Sequence, residues 1–365
     1  LPIGGVSIVV ITVAALTGTL KIGEAISGFA NSAIWLIVGA FLFSRGFIKT
    51  GLGKRIAYNL IAAFGSSSLR LSYALALSDL ILAPATPSNT ARVGGVIMPI
   101  TTSLAKAFGS EPQNGPRKIG SFLMQSIYQV NTITSAMFQT SMAGNTLVAA
   151  LALQSFGIGI TWGDWAMAAI VPGIIALIVM PYFIYKVYPP EIKDAREAQQ
   201  MIREELKGLG KMSFQEWVML GVFVLALVLW ATSQFTKIDA TTVAFLGISI
   251  LLATSVLVWD DVKSEKGAWD TLVWMGTLMG FAGFLSKLGF IKWATVLVGG
   301  YIPEGSWIIA FVIAVLINTY SHYVFASLTA HISAMFVAFS AIAISAGAPP
   351  MLTLLMIAFT SNLCM

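Results

Sequence analysis

Long apolar runs separated by short polar segments dominate this sequence. A helix that crosses a bilayer needs about 20 apolar residues, and we predict eight membrane spans from runs of roughly that length. The run 119–156 is longer, and we expect it to break near Gly144. Apolar residues also stand at both chain ends, so we expect the protein to continue beyond them. The predicted spans are residues 2–20, 33–48, 119–156, 165–187, 217–233, 241–258, 269–288 and 351–365.

Two further apolar stretches, 71–107 and 307–346, are interrupted near their middles. The interrupting residues are Pro84, Pro87 and Asn89 in the first and His322, Ser327, Thr329 and His331 in the second. Irregular backbone persists at membrane depth only where protein or a water-filled cavity covers it. We therefore predict two re-entrant helical hairpins, each returning to the side from which it entered.

Composition supports a membrane protein. Of the 365 residues, 57% are hydrophobic and 10% are charged, whereas soluble domains have about 25% charged residues. The net charge of +5 comes from loops between apolar runs, which fits membrane orientation better than nucleic-acid binding. The single cysteine, Cys364, excludes a disulfide within the chain and a Cys-x-x-Cys metal site. With only His322 and His331 as histidines, we expect no metal and no cofactor.

Positive residues predict the topology. Lysines and arginines lie on both sides of the first hairpin, from Arg45 to Arg70 and from Lys106 to Lys118, and five more lie in the polar segment 188–211. Because loops rich in these residues stay in the cytoplasm, we assign all three segments to that side. We expect 188–211 to form a solvated amphipathic helix. Counting crossings puts 291–305 on the opposite side.

Two short matches indicate an internal repeat. Phe-Leu followed by Gly-Phe-Ile-Lys occurs at 41–49 and again at 284–292, and Ser-Asn-Thr-Ala-Arg at 88–92 corresponds to Ser-Leu-Thr-Ala-His at 327–331. The crossing count gives the two copies opposite topology, as in secondary transporters with inverted repeats and discontinuous helices. The predicted units are 1–32, an N-terminal span; 33–187, the first repeat with hairpin 71–107 and broken helix 119–156; 188–212, a cytoplasmic loop; and 213–365, the second repeat with hairpin 306–346 and broken helix 350–365.

The helix breaks provide candidate chemistry for binding an anion. A helix start offers free N–H groups and the positive end of its dipole, and Ser, Thr and Asn add donors without a buried charge. The hairpin tips supply Ser88, Asn89, Thr90, Ser327 and Thr329. The alternative is that these residues only cap helix ends.

Polar residues also mark the two broken helices, near 140–146 and 360–362. We expect Asn145, Thr146, Ser361 and Asn362 to converge with the tips on one substrate site. The alternative is a local kink with hydroxyls that satisfy themselves.

Arg92 and His331 occupy equivalent positions after the two tips. A charge inside an apolar half-helix is costly and usually functional, so we expect both residues to compensate the charge of a bound anion. The alternative for Arg92 is an ion pair with Asp79.

The run 83–100, Ala-Pro-Ala-Thr-Pro-Ser-Asn-Thr-Ala-Arg-Val-Gly-Gly-Val-Ile-Met-Pro-Ile, resembles the divalent anion:sodium symporter family. Within it, the chain is similar to the branch of 2-oxoglutarate/malate translocators and citrate/succinate or tartrate/succinate antiporters. Ser-His-Tyr-Val-Phe-Ala-Ser-Leu-Thr-Ala-His at 321–331 and Ala-Phe-Thr-Ser-Asn-Leu at 358–363 match that branch's second hairpin and last broken helix.

The resemblance implies an elevator-type exchanger: a homodimer in which each protomer has a fixed scaffold and a moving transport domain. It also implies that substrate carboxylates bind the five tip residues. Sodium-coupled members usually carry Ser-Asn-Thr in the second hairpin and a serine four residues before the first. Here Leu328 and Pro84 stand at those positions, so we expect sodium-independent exchange.

The leading functional hypothesis is therefore exchange of malate, succinate, 2-oxoglutarate or a similar acid across a bacterial inner membrane, with a plastid inner envelope as the other location. The expected partners are this substrate, membrane lipid and a second copy of the chain. A sodium-coupled dicarboxylate or citrate symporter is the alternative within transport. An ion channel is a further alternative, and an intramembrane enzyme is disfavoured because no nucleophile–base pair or His-Glu-x-x-His motif is present.

Overall fold

The computed structural model describes residues 2–289, 293, 307–325 and 327–362. Within these ranges the chain forms helices and no β-strand. Leaving single turns unnumbered except at the first tip, the helices are α1 Ile3–Leu16, α2 Ser32–Thr50, α3 Leu52–Phe64, α4 Ser68–Leu82, α5 Asn89–Arg92, α6 Met98–Ala107, α7 Gly120–Met137, α8 Ala143–Phe156, α9 Trp162–Val187, α10 Arg196–Gly208, α11 Phe214–Ala231, α12 Ala240–Ala253, α13 Trp259–Ser264, α14 Lys266–Lys287, α15 Trp307–Ser321, α16 Leu328–Ser345 and α17 Pro350–Ser361.

Several helices have the length and composition of membrane spans. Five described segments are at least 18 residues long and apolar enough to cross a bilayer: Ser32–Thr50, Trp162–Val187, Phe214–Ala231, Trp307–Val324 and Leu328–Ser345. Shorter apolar helices are α1, α12 and α17. The predicted all-α membrane class is therefore confirmed for the described residues.

Helix breaks occur in three of the four stretches where the sequence predicts them; the fourth, 350–365, forms the helix Pro350–Ser361, and its residues after Asn362 lie outside the described part of the chain. The first hairpin stretch leaves α4 after Leu82, makes a 3₁₀ turn at Ala83–Ala85 and resumes helix at Asn89. The second leaves α15 after Ser321 and resumes at Leu328. In both cases a serine is the extended residue before the new helix.

The break in the long run 119–156 lies slightly before the predicted point. Phe138 and Met142 have extended backbone, with a short 3₁₀ turn at Gln139–Ser141 between them. Gly144 lies inside the first turn of α8. The break predicted near Gly144 therefore lies just before that glycine, and the chain resumes helix at Ala143.

A helix in the first positive segment was not predicted. Gly51, at φ 74°, ends α2 in the left-handed conformation that glycine adopts without strain, and α3 follows at once. Its buried face includes Leu52, Ala57 and Ile61. The amphipathic α10 packs on α3, and the Gln199 amide donates to the Ala62 carbonyl at 2.9 Å. The expected amphipathic helix is therefore present, with one face covered by protein.

The segments predicted to be cytoplasmic lie at one end of the molecule. Lys49 at the end of α2 pairs with Asp261 at 2.5 Å, and Arg55 of α3 pairs with Glu216 at the start of α11. The Ser68 N–H donates to the Lys193 carbonyl at 3.0 Å. These contacts join the ends of helices that the crossing count assigns to the same side.

The other helix ends meet at the opposite end. Gln234 donates to Asp164 at 2.8 Å, and the Thr241 hydroxyl donates to the Ser32 carbonyl at 2.8 Å. The segment 291–305, which the sequence assigns to this side, lies outside the described residues apart from Trp293.

Candidate functional site

The two hairpin tips meet at a cavity of about 620 Å³. Helices α2, α8 and α14 and the residue before α8 complete its wall. The described residues that line it are Phe41, Pro87, Ser88, Asn89, Thr90, Met142, Ala143, Thr271, Trp274, His322, Tyr323, Phe325, Ser327, Leu328 and Thr329. None of them is a Lys, Arg, Asp or Glu.

Gly144 allows the second tip to approach the first. A Cβ atom added at Gly144 would lie 2.7 Å from Ile332 Cδ1 and 3.2 Å from Leu328 Cδ2, which is too close for an ordinary contact. The absence of a side chain therefore brings the start of α16 against the start of α8. The Ala143 N–H, in turn, donates to the Pro87 carbonyl at 2.8 Å, which fastens the first tip to the same place.

Ser88 and Asn89 form the start of a helix at the first tip. Ser88 Oγ accepts a hydrogen bond from the Ala91 N–H at 3.2 Å, and Asn89 Oδ1 accepts one from the Thr90 N–H at 2.8 Å. A hydroxyl that accepts a bond can still donate its own hydrogen. Capping and substrate binding are thus compatible at Ser88.

The helix that leaves the first tip is irregular. A π-helical turn, Val93–Ile97, separates α5 from α6. Pro99 lacks an N–H, and its ring would clash with the carbonyl four residues earlier in a regular α-helix. Single π turns inside helices are frequent at functional sites, which agrees with the position of this turn beside the cavity.

The second tip has the same cap. Ser327 Oγ accepts from the Ala330 N–H at 3.5 Å, and Thr329 follows in the first turn of α16. The two tips differ at Leu328, which has an apolar side chain where the first tip has the amide of Asn89. All five predicted tip residues line the cavity, and none of them is classed as buried.

The four broken-helix residues are not in the cavity wall. Asn145, Thr146, Ser361 and Asn362 are all buried. Asn145 donates to the carbonyls of Ser135 and Phe138 at 2.7 and 2.9 Å, and both carbonyls, which lie at the break, also accept from the Ser141 hydroxyl. The structure does not bring these four residues to the tips, because their side chains turn toward backbone instead.

Two of the four have further partners that define their positions. The Thr146 hydroxyl donates to the Gln139 carbonyl at 3.0 Å, and Thr146 lines a different cavity of about 400 Å³ near Ser32 and Gln234. Ser361 Oγ donates to the Ile357 carbonyl at 2.8 Å and accepts from the Asn318 amide at 3.1 Å. This amide joins α17 to α15, close to the second tip.

Arg92 is wholly buried and its charge is directed away from the cavity. Its Nε donates to Asp79 at 2.9 Å, the alternative that the sequence left open. The remaining nitrogens donate to the Thr86 and Ser141 carbonyls and to the side chains of Asn131, Thr134 and Ser135, at 2.9–3.2 Å. The guanidinium thus ties α4, the first tip and α7 together, and its charge is matched by Asp79.

His331 is also wholly buried and is absent from the described cavity wall. Its Nε2 lies 3.0 Å from Ser321 Oγ. Its ring contacts the rings of His322 and Phe325, with centroid distances of 4.9 and 5.2 Å. The two residues expected to compensate charge are therefore both behind the tips rather than beside the cavity.

Sequence reasoning missed the wall contributed by other helices. Phe41, Thr271 and Trp274 reach the cavity from α2 and α14, and their apolar surroundings in sequence give no sign of it. His322 was noted only as part of a helix break. Its position one residue after α15 could have indicated a side chain directed at the tip.

These features define a class: an integral membrane protein with a polar, uncharged cavity between broken helices, as in secondary transporters. Over residues 1–365 the chain matches the family described as the sodium:sulfate symporter transmembrane region, and it belongs to that family. The resemblance to the divalent anion:sodium symporters stated from the sequence is thereby confirmed.

Three relatives illustrate the similarity. YflS of Bacillus subtilis (strain 168) is provisionally named a malate transporter. It is 53% identical to this chain over 364 residues, which cover 100% of this chain and 76% of YflS. Dicarboxylate transporter 1, chloroplastic, of Spinacia oleracea is 45% identical over 100% of this chain and 64% of its own length. Inner membrane protein YbhI of Escherichia coli (strain K12) is 43% identical over 94% of this chain and 72% of its own length.

Proposed function

We propose that this chain is the transport core of a dicarboxylate exchanger. The observation that carries the proposal is the cavity in which both tips present uncharged donors, Ser88, Asn89 and Thr90 from one side and Ser327 and Thr329 from the other. Relatives named as malate and dicarboxylate transporters support this substrate class. The cavity volume lies within the 300–1,000 Å³ typical of small-molecule sites.

The chemistry fits an acid with a carboxylate at each end. Each tip begins a helix, so that its first N–H groups and the positive end of the dipole favour a negative group. Hydroxyl and amide hydrogens from Ser88 and Asn89 or from Ser327 and Thr329 can add charge-assisted bonds. A molecule with two separated carboxylates engages both tips at once, whereas a monocarboxylate engages one.

Transport in this proposal is a rigid-body movement of the two hairpins with α7, α8 and α17, against a scaffold that includes α2, α11, α12 and α14. Polar bonds support this division: Thr140 donates to the Pro84 carbonyl at 2.6 Å and Asn318 binds Ser361, so each tip is fastened to its broken helix. The scaffold contributes Phe41 and Trp274 to the cavity wall. Because these side chains are largely apolar, a movement of the tips past them would break few hydrogen bonds. The inverted repeat, the predicted unit boundaries and a homodimer belong to the same proposal.

Bacterial and chloroplast relatives fit a bacterial inner membrane or a plastid inner envelope. Sodium-coupled symport is the second candidate, since the matched family is described as sodium:sulfate symporters. Pro84 and Leu328 favour exchange, because neither side chain can coordinate a cation.

Counterflow in proteoliposomes tests the proposal. The full-length protein is reconstituted, and uptake of labelled succinate is measured with and without internal dicarboxylate, in sodium and in choline medium. We expect uptake that requires internal dicarboxylate and proceeds equally in choline. Uptake into empty vesicles that requires sodium identifies the symporter instead, and no saturable uptake of any dicarboxylate refutes both.

A further inference from the structure

We propose that His322 takes up a proton when a dicarboxylate binds, so that the cavity holds the dianion against an imidazolium. This inference rests on the proposed function and assigns a charge to the same site. Its starting point is a mismatch: a doubly charged substrate in a cavity whose described wall has no fixed charge. Burying an uncompensated carboxylate is unfavourable, and hydroxyl donors and helix dipoles offset it only in part.

His322 is the one basic side chain among the described residues of that wall. The side chain begins the 3₁₀ turn His322–Val324 between α15 and the tip. It is more than nine-tenths buried, and its Nδ1 has no hydrogen-bond partner among the described residues. A buried polar atom of this kind is rare in native proteins and calls for a functional reason. A carboxylate in the cavity would supply the missing partner.

The neighbouring imidazole limits the pair to one proton. The rings of His322 and His331 are 4.9 Å apart, so two protons on the pair would repel strongly in a low-dielectric interior. His331 is enclosed by Ser321 and Phe325 and has no access to the cavity. His322 is the member that a carboxylate can reach, and an adjacent negative charge stabilises its protonated form.

Other charged groups on the surrounding helices are already matched or face elsewhere. Helices α8, α15 and α17, which pack against α16, contain no Lys, Arg, Asp or Glu. On the first hairpin, Arg92 pairs with Asp79. On α2, Arg45 and Lys49 approach Asp261. Because these charged groups are paired with one another, His322 is the residue whose charge can change at the described cavity wall. The Tyr323 hydroxyl is the other titratable group in that wall.

On α14, Asp270 is exposed and lies against Gly4 of α1. Lys266 and Lys287 are the end residues of that helix. Neither end is in the described wall, which α14 reaches through Thr271 and Trp274. The helix therefore brings no fixed charge to the histidine.

The test is proton uptake measured by calorimetry. Succinate is titrated into the full-length protein in detergent at one pH, in two buffers with different ionisation enthalpies, and the difference in observed heat gives the protons exchanged. We expect uptake approaching about one proton per succinate at a pH between the pKa of the pair in the free protein and its pKa in the complex, and close to none for His322→Gln. His331→Gln and Tyr323→Phe serve as matched variants, and both should still take up the proton.

The wild-type pH dependence provides a second readout if His322→Gln fails to fold. Affinity for the succinate dianion should fall about tenfold per pH unit between the pKa of the pair in the free protein and its pKa in the complex. Zero proton uptake with a pH-independent dianion affinity overturns the inference while leaving dicarboxylate transport intact. Uptake that disappears in His331→Gln and persists in His322→Gln also overturns it. A wild-type protein that binds no dicarboxylate overturns the proposed function and this inference together.

Discussion

The Asn362 amide donates to Asn145 Oδ1 at 3.0 Å, joining residues 217 positions apart. Both side chains are completely buried; Asn145 lies in the first turn of α8, directly after a break, and Asn362 follows the last residue of α17. Asn145 turns its NH₂ to the carbonyls of Ser135 and Phe138, so its oxygen is available to Asn362. The start of α8 and the end of α17 are thus held together by one amide pair.

We predict that this pair stabilises the fold rather than binding substrate. Asn145→Ala should lower the unfolding temperature strongly, because it removes a buried amide that donates to two carbonyls and accepts from Asn362, and each such bond contributes about 0.5–1.5 kcal/mol. Asn362→Ala should have a smaller effect. In a double-mutant cycle measured by thermal unfolding in detergent, the coupling between the two should be about 0.5–1.5 kcal/mol. Additive losses would show that the bond contributes nothing.

The tip residues should behave in the opposite way. Asn89→Ala and Thr329→Ala should each weaken dicarboxylate binding about ten- to a hundredfold, since a hydrogen bond to a charged group is worth about 1.5–3 kcal/mol. Their unfolding temperatures should stay near that of the wild type because neither side chain is buried. The controls are Asn114→Ala and Thr242→Ala, which make the same changes at exposed positions. Wild-type affinity in both tip variants would show that these residues only cap helix ends and do not bind substrate.

Helix breaks could be predicted from the sequence because their causes are local. Pro84 and Pro87, three residues apart, lack N–H groups and disfavour helix in the residues before them, and serine, as at Ser88 and Ser327, is a good N-cap. The tip residues follow from the same local rules, and all five line the cavity.

The direction of a buried side chain could not be predicted in this way. Asn145 and Ser361 differ from Asn89 and Ser88 only in which carbonyls the fold brings near them, and that is a tertiary property. The same holds for Phe41 and Trp274, whose approach to the tips depends on helix packing. The α3 helix was missed for a different reason: its charges were interpreted as loop residues, although Ala57 and Ile61 form one buried face.

Cysteine labelling tests the predicted orientation. With Cys364, the single cysteine of this chain, replaced by serine, Glu204→Cys on α10 should react with an impermeant reagent from the cytoplasmic side. Lys237→Cys should react from the other side, because it lies near the opposite helix ends, where Gln234 contacts Asp164. Both positions are exposed. Labelling of both from one side would contradict the crossing count and the inverted repeat built on it.

Arg92 provides the sharpest contrast between the sequence hypothesis and the structure. The sequence suggested that its charge compensates the anion, whereas the guanidinium pairs with Asp79 and forms a further five hydrogen bonds, to α7, to the first tip and to the 3₁₀ turn before α8. Arg92→Gln should therefore destabilise the fold by about 3–5 kcal/mol, because it leaves the Asp79 carboxylate buried and unpaired. Arg92→Lys should rescue little, since an ammonium cannot reproduce the planar fork of donors.

The double variant Arg92→Gln/Asp79→Asn separates the two roles. If Arg92 acts through Asp79, removing both charges should recover part of the lost stability and, with it, dicarboxylate affinity, measured by thermal unfolding and by calorimetry on the same preparation. Arg196→Gln, which breaks the exposed pair with Asp194, is the control and should change stability by at most about 1 kcal/mol. A double variant that is stable yet binds no dicarboxylate would show that the charge of Arg92 compensates the charge of the bound substrate. The positively charged guanidinium would then act through the low-dielectric interior behind the tip rather than by contact.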